Sequence, residues 1–313
     1  MSLRVLVFVG VAVGTLCVGC HAEPAPAPEP LCVVPQPRID ENTTRPLRTS
    51  EWLQFLVGAS EGTVATDCSG HAIEDPVDHA CQSQRGTLAA AALTEESLMT
   101  VRIDYDHRLQ WVQTHTNAAG DRVGPVALVE RTETGWAVRA MGTITAPPGR
   151  PRLRLEALGS TTVLVAQGER CTDPEDPESC ESQVRLWLRQ GDRFEATSLR
   201  LDDRDLTCAG PAMVDISRTT AVPLPNGWQR TFRLSASVEY RGGDVLVHEQ
   251  VVVHDNDPNL PGVPPTPFRV IDSDRTLAWR DGYLVTSLRP LWDRSLEELG
   301  SVALTEEERA RRQ

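Results

Sequence analysis

Cys68, His71, His79 and Cys81 are the densest group of metal-ligating side chains in the chain, four within fourteen positions. Thiolates and imidazoles together hold zinc. Structural zinc sites, however, pair their ligands two to five residues apart in a few recurring patterns, and the spacing C-x2-H-x7-H-x-C matches no common one. Gly58-Ala59-Ser60-Glu61-Gly62 has the G-x-S-x-G form that sets a nucleophilic serine on a strand-to-helix turn. Residues 53–57 could be the strand. The TVATDCSG that follows is β-branched and then glycine-bearing, which is a poor helix start, and too little chain precedes Ser60 for the βα units such a hydrolase needs. Asp255-x-Asp257-x-Asn259 opens like a calcium loop but lacks its sixth-position glycine and closing glutamate, so a turn is expected.

The histidines are scattered. His107 lies beside Asp104 and Asp106, with His115 further along the same stretch. His248 and His254 share strand parity, but six residues along a strand span about 20 Å, too far to share an ion. Seven Trp against three Tyr is an unusual ratio. Trp52, Trp111, Trp136, Trp187, Trp228, Trp279 and Trp292 could line a groove, though such residues more often pack in cores. Trp187, between Arg185 and Arg189 and opposite in parity to Val184, Leu186 and Leu188, is the strongest candidate for a ligand-facing position. These readings assign no catalytic residue, no metal ligand and no cofactor, and leave the ligand-binding residues unknown.

Composition narrows the classes further. The chain has 313 residues, 31 basic against 44 acidic side chains, and a net charge of −13. All 31 basic residues are Arg. Without Lys there is no Schiff-base lysine and no phosphate-cradling P-loop lysine. The acidic balance argues against a nucleic-acid partner.

The N-terminus reads Met-Ser-Leu-Arg, then VLVFVGVAVGTLCVGC. The apolar run 5–18 is shorter than the about 20 residues a membrane-spanning helix needs, and it suits the hydrophobic region of a signal peptide. Gly19 and Cys20 close the run. This ending resembles the lipobox of bacterial lipoproteins, although Cys17 stands where Leu is usual, with Leu16 one place earlier. The resemblance covers about 20 residues and implies a signal peptide over 1–19, with Cys20 as the lipidated (diacylglycerol- and palmitate-bearing) first residue of the mature chain. His21 in place of Asp implies, by the same analogy, the outer membrane. Pro24, Pro26, Pro28 and Pro30 fall on every second residue and exclude a helix or a central strand. An extended spacer of roughly 30–40 Å from Cys20 to Cys32 is expected. Residues 20–48 are read as anchor and tether, and 49–313 as one extracytoplasmic domain.

After loss of 1–19 and lipidation of Cys20, Cys32, Cys68, Cys81, Cys171, Cys180 and Cys208 remain. An even number in an exported chain reads as disulfides, and the sequence does not choose the pairing. Proximity suggests Cys171 with Cys180 across the acidic loop that holds Asp173, Glu175, Asp176 and Glu178. It further suggests Cys68 with Cys81, leaving Cys32 for Cys208. Pro174 and Pro177 break the alternation a calcium loop needs in that acidic stretch.

From about Thr100 the dominant period is two. Phe232, Leu234, Ala236, Val238 and Tyr240 alternate with polar residues, as half-buried antiparallel strands do. Gly159-Ser160, Gly191-Asp192, Asn226-Gly227, Gly242-Gly243 and Asp281-Gly282 are hairpin turn signals. The segments 126–138, 184–196 and 275–285 share a form: strand, charged turn, then an aromatic (Trp136, Phe194, Tyr283) opening the return strand. The fold class expected is mainly β, with antiparallel hairpins in a sandwich-like or irregular propeller-like array. Ser295 to Glu298 and Thr305 to Glu308 are capping-box signals for short C-terminal helices, with Gly300 as a stop.

The functional expectation is a membrane-tethered extracytoplasmic binding or interaction module. Its partners are the membrane, through the lipid, and an envelope protein or glycan. The rival is an extracytoplasmic hydrolase using Ser60 or an unlocated carboxylate pair.

Overall fold

The structure is a computed structural model that describes residues 29–40, 43–58, 66–68, 70, 72–76, 85–87, 93–117, 120–149, 151–173, 175, 179–224, 227–256 and 267–300. Strands dominate: 17 of them form one mixed sheet and two more a separate pair. No described helix is long and apolar enough to cross a membrane.

The first half of the chain supplies β1 (Cys32–Pro35), α1 (Thr49–Leu56), the isolated pair β2 (Glu74–Pro76) and β3 (Arg85–Thr87), then β4 (Leu98–Arg102), β5 (His107–Val112), β6 (His115–Thr116), β7 (Arg122–Arg131) and β8 (Gly135–Ala146). β1 lies within the stretch read as tether. It pairs with β8 through Cys32 to Val138 and Val34 to Trp136, and Val34 is fully buried. The folded body therefore begins near Leu31 rather than after residue 48, because alternate residues of the Cys32–Pro35 segment fit the pleat of β8.

Residues 53–57, weighed as a strand, lie mostly in helix α1. Trp52, Leu53 and Leu56 fall on one helical face and are buried. The Glu51 carboxylate reaches back to accept the Arg48 N–H at 2.7 Å, satisfying a donor that every helix start leaves open. That face closes over Val34, Val112, Ala127, Val129, Trp136 and Val138.

β7 is buried along nearly its whole length because both of its faces are covered. One face meets α1; the other contributes Val126 and Leu128 to a second core with Leu109, Trp111 and Ile144. Pro125 is tolerated in this central strand because it sits between the β5 pairing, which starts at Val126, and the β6 pairing at Val123. The neighbouring Gly124 carbonyl accepts the Trp111 indole N–H at 3.1 Å. A Cβ at Gly124 would stand 1.8 Å from the backbone oxygen of Val112. Gly124→Ala is expected to destabilise the protein by about 2–3 kcal/mol through this backbone clash. A denaturant midpoint within error of wild type would rule that out.

The second half runs β9 (Arg152–Leu158), β10 (Thr161–Cys171), β11 (Cys180–Gln190), β12 (Arg193–Ala196), β13 (Ser198–Leu201), β14 (Cys208–Pro211), β15 (Met213–Pro223), β16 (Gln229–Arg241), β17 (Asp244–Asn256), β18 (Pro267–Arg280) and β19 (Tyr283–Thr286), and the last described element is α2 (Leu291–Leu299). Each hairpin signalled by the turns forms. Gly159, Gly191, Gly227, Gly242 and Gly282 all take positive φ, as does the non-glycine Asp281 at 47°. The hairpins do not stand apart as blades. They are joined edge to edge, β9 to β10 to β11, then β15 through β19. Two parallel contacts make the sheet mixed: β13 with β19 and β12 with β8.

The two halves share a core. Leu109, Trp111, Val126 and Ile144 pack against Leu153, Leu164, Ala166 and Trp187. Arg185 donates to the buried Asp121 carboxylate at 2.7 Å, so a charged pair also bridges the halves. Trp187 is thus a core residue, not a ligand-facing one. Its alternation with Val184, Leu186 and Leu188 is correct, but both faces of β11 are covered.

α2 starts at Leu291, four residues before the Ser295 cap read from the sequence. Ser295 is inside the helix and buried, because Pro290 supplies the helix start. Gly300 ends it as expected. Residues 305–308 lie outside the described residues. Among the described residues, Cys32 bonds Cys68 and Cys171 bonds Cys180. Cys208 is also disulfide-bonded, to a partner outside the described residues. The pairing of Cys68 with Cys81 and of Cys32 with Cys208 is therefore corrected. β1 brings Cys32 beside the α1 core, where Cys68 also packs, so spatial rather than sequence proximity selects the bond. Cys171 and Cys180 face each other at the end of the β10–β11 ladder, as the loop reading required.

Candidate functional site

Arg108, Arg131 and Trp136 share one sheet face by register. Arg108 pairs with Val129 on β7, two residues from Arg131, and Arg131 pairs with Trp136 on β8. Side chains of directly opposed residues, and of residues two apart, point to the same side. Deeper along this face lie Val112, Ala127, Val129 and Val138, all in the core under α1. The two arginines stand at the rim, where α1 and the segment after β1 leave a cavity of about 210 Å³.

Its wall includes Gln36, Arg45, Trp52, Arg108, Arg131 and Trp136. Trp52 of α1 meets Trp136 edge-on, ring centres 6.0 Å apart. The Arg108 guanidinium lies 4.6 Å above the Trp136 ring, a cation–π contact that also fixes the guanidinium plane. Thr44 donates to the Gln36 side-chain oxygen at 2.9 Å, which leaves the Gln36 amide N–H groups for other acceptors. Arg45 is held by a two-pronged ion pair to Glu51, at 2.7 and 2.6 Å.

That pair has a measurable signature. The Arg45 hydrogen bonds, followed by the Arg48 N–H, hold the Glu51 carboxyl down at about 2. A carboxyl depressed in the folded state stabilises the fold above its unfolded pKa, about 4.3, and loses that contribution as pH falls through its folded value. Carboxyl NMR is expected to place the Glu51 midpoint near 2 in the wild type. In Arg45→Ala the midpoint should climb toward the ordinary glutamate range. An unchanged midpoint in the variant would remove the ion pair as the cause.

The other candidates fall elsewhere. His71, His79 and Cys81 lie outside the described residues, and Cys68 is in a disulfide, so it offers no thiolate to a metal. Glu169, Cys171 and Cys180 come close enough to hold an ion, but those cysteines are bonded to each other. Asp255, read as the start of a loop, is instead buried against Arg230. Asp257, Asn259 and Ser60 are outside the described residues. His107 binds Asp104 in an exposed pair at 2.9 Å. Trp111, Trp187 and Trp292 are buried in cores, as most tryptophans are.

One constellation not seen in the sequence is a row across three strands. Ser237 on β16 opposes His248 on β17, which opposes Asp274 on β18. His248 Nδ1 lies 2.7 Å from the Asp274 carboxylate. The row sits on an open sheet face, with the His248 and Asp274 side chains 46% and 81% exposed. An aspartate-oriented imidazole is one component of a serine nucleophile site, and such sites also need donors for the oxyanion.

The arginines of the cavity were missed because Arg on an alternating strand reads as a solvated residue. The available signal is that Arg131 ends an apolar stripe of Ala127 and Val129, and that Arg108 shares its strand parity with Val112. Comparison with protein-family models, with curated proteins and with solved structures finds no match to this chain.

Proposed function

We propose that this chain is a membrane-tethered extracytoplasmic binding module whose ligand enters the cavity between α1, β5, β7 and β8. The observation that carries the reading is the cavity wall itself: two tryptophans in edge-to-face contact with a guanidinium laid on one of them, all buried or half-buried, at a place where the core opens to solvent. Aromatic and Arg side chains are the residue types that anchor recognition sites. The disulfides support an oxidising compartment. The lipobox-like 17–20 segment supports an anchor at Cys20, and the partner is an envelope protein or glycan.

Two measurements test this. Intact mass of the detergent-extracted protein should show a chain that starts at Cys20 and carries lipid; an unprocessed chain would end the tether reading. A photo-crosslinking residue at Thr44, beside the cavity, should capture a discrete partner in intact cells. The same residue at Thr276, on the exposed face of β18, should not. Equal labelling from both positions would argue against the cavity as the contact.

The hydrolase reading draws on the Ser237–His248–Asp274 row. It requires that Ser237→Ala abolish turnover of an ester panel that the wild type cleaves. A wild type silent on the panel, or a variant as active as wild type, disposes of it.

A further inference from the structure

We infer that the cavity is an oxyanion site: it takes the carboxylate or phosphate end of a small organic anion, or of such a group carried on a larger envelope molecule. The inference rests on the reading of this cavity as the ligand site.

The charge of the wall is the first argument. Among the described residues, three arginines line it and no carboxylate does. The Arg45 charge is answered by Glu51. Among the described residues, no carboxylate lies within ion-pair distance of Arg108 or Arg131, in a chain whose net charge is −13. A recess with low-dielectric walls and one sign of charge concentrates ions of the opposite sign. Two acids close in sequence to these arginines are engaged elsewhere. Glu130 pairs with Arg139, and Asp104 with His107.

Geometry supplies the second argument. The Trp136 ring covers one face of the Arg108 guanidinium, so its N–H edge is what remains for a ligand. An in-plane fork of N–H donors matches the paired oxygens of a carboxylate or phosphate. Arg131 is on the adjacent strand and the same face, two residues from the pairing partner of Arg108, so a second guanidinium can meet the same anion. The Gln36 amide adds a neutral donor.

The third argument is size and lining. A volume of about 210 Å³ holds about seven waters. Pro46, Leu47 and Trp52 make part of the wall apolar. The fit is to a short organic body with one anionic end, better than to a bare inorganic ion.

The test uses the full chain in non-ionic detergent and titration calorimetry. The probes are benzoate and phenyl phosphate, with benzamide as the neutral match and benzylamine as the cationic one. Either anion should bind, more weakly as salt rises, and the neutral and cationic probes should bind at least tenfold more weakly. Arg108→Gln and Arg131→Gln should each weaken the anion by about 10- to 100-fold, the range for a hydrogen bond to a charged group. Arg131→Lys should recover part of the loss. Thermal melts of each variant check that it is folded, and Arg280→Gln, far along β18, should leave the anion affinity unchanged.

Benzamide binding as well as benzoate, or anion affinity that survives both glutamine variants, overturns the oxyanion assignment while the cavity remains a ligand site. Binding by none of the four probes overturns both. Polygalacturonate against its methyl ester separates the sources. Preference for the acid form over free benzoate assigns the anion to a polymer, and the reverse assigns it to a free small molecule.

Discussion

Arg230→Ala is expected to cost about 3–5 kcal/mol of stability, as removal of one partner from a buried ion pair does. The Arg230 side chain is 2% exposed and that of Asp255 is fully buried. Arg230 donates to both Asp255 oxygens, at 2.8 and 3.1 Å, and a third time to the Leu299 carbonyl at 2.7 Å. Leu299 is the last residue of α2, whose terminal carbonyls have no partner within the helix. A guanidinium there also meets the negative end of the helix dipole. The variant would take the guanidinium from the buried Asp255 carboxylate and uncap the helix together. Arg230→Met with Asp255→Leu removes both charges and should recover most of the loss, because an apolar pair of similar volume avoids the desolvation cost. Urea unfolding of wild type, single and double variants checks this. A single variant within about 1 kcal/mol of wild type would sink the claim, as it falls short of the cost of breaking a buried pair.

The opposite end of α2 is held the same way. Glu249, buried on β17, accepts the Leu291 N–H at 3.2 Å and pairs with buried Arg275 at 3.1 Å. Pro290 provides no side-chain cap. The sheet thus supplies a carboxylate at the helix start and a guanidinium at its end, each of the sign the dipole favours. Between them, Leu291, Trp292 and Leu299 cover Phe232, Leu234, Val251 and Val253. This is why a nine-residue helix, too short to persist alone, is ordered here.

Cys32→Ala with Cys68→Ala is expected to cost about 4 kcal/mol, and Cys171→Ala with Cys180→Ala about 3 kcal/mol, from loop-closure entropy alone. The bonds are 36 and 9 residues apart in sequence. The measured gap between the two double variants should exceed that estimate. Cys171 and Cys180 already oppose each other in a nine-rung ladder, whereas β1 has only four paired residues holding it to β8. Loss of the Cys32 bond also loosens Val34 and its partner Trp136, and with them the cavity wall. Chemical denaturation and Trp fluorescence of both double variants provide the comparison. If the loop pair proves the more costly, the bond between β1 and the α1 core does not set stability.

Sequence alone was sufficient for the β content, for each turn and for the Cys171–Cys180 bond. All three are local properties. Alternation with period two reports which residues share a strand face, as Phe232 and Leu234 do. Asp281-Gly282 or Gly242-Gly243 can form a turn by their own backbone freedom. Two cysteines flanking one loop meet once the hairpin zips.

Tertiary structure decided everything that depends on what covers a face. Trp187 and Leu188 point to opposite sides of β11, and nothing in their alternation says that both sides are buried. Arg230, Glu249 and Asp255 are polar residues on apolar faces, legible only once α2 lies over them. Cys32 found Cys68 because β1 joins the edge of β8, a pairing set by contacts about a hundred residues apart in the chain. The cavity has the same origin. Gln36, Trp52, Arg108 and Trp136 come from separate segments, so only the packing of α1 on one face of β5, β7 and β8, with β1 paired to the edge of β8, brings two tryptophans and two arginines together.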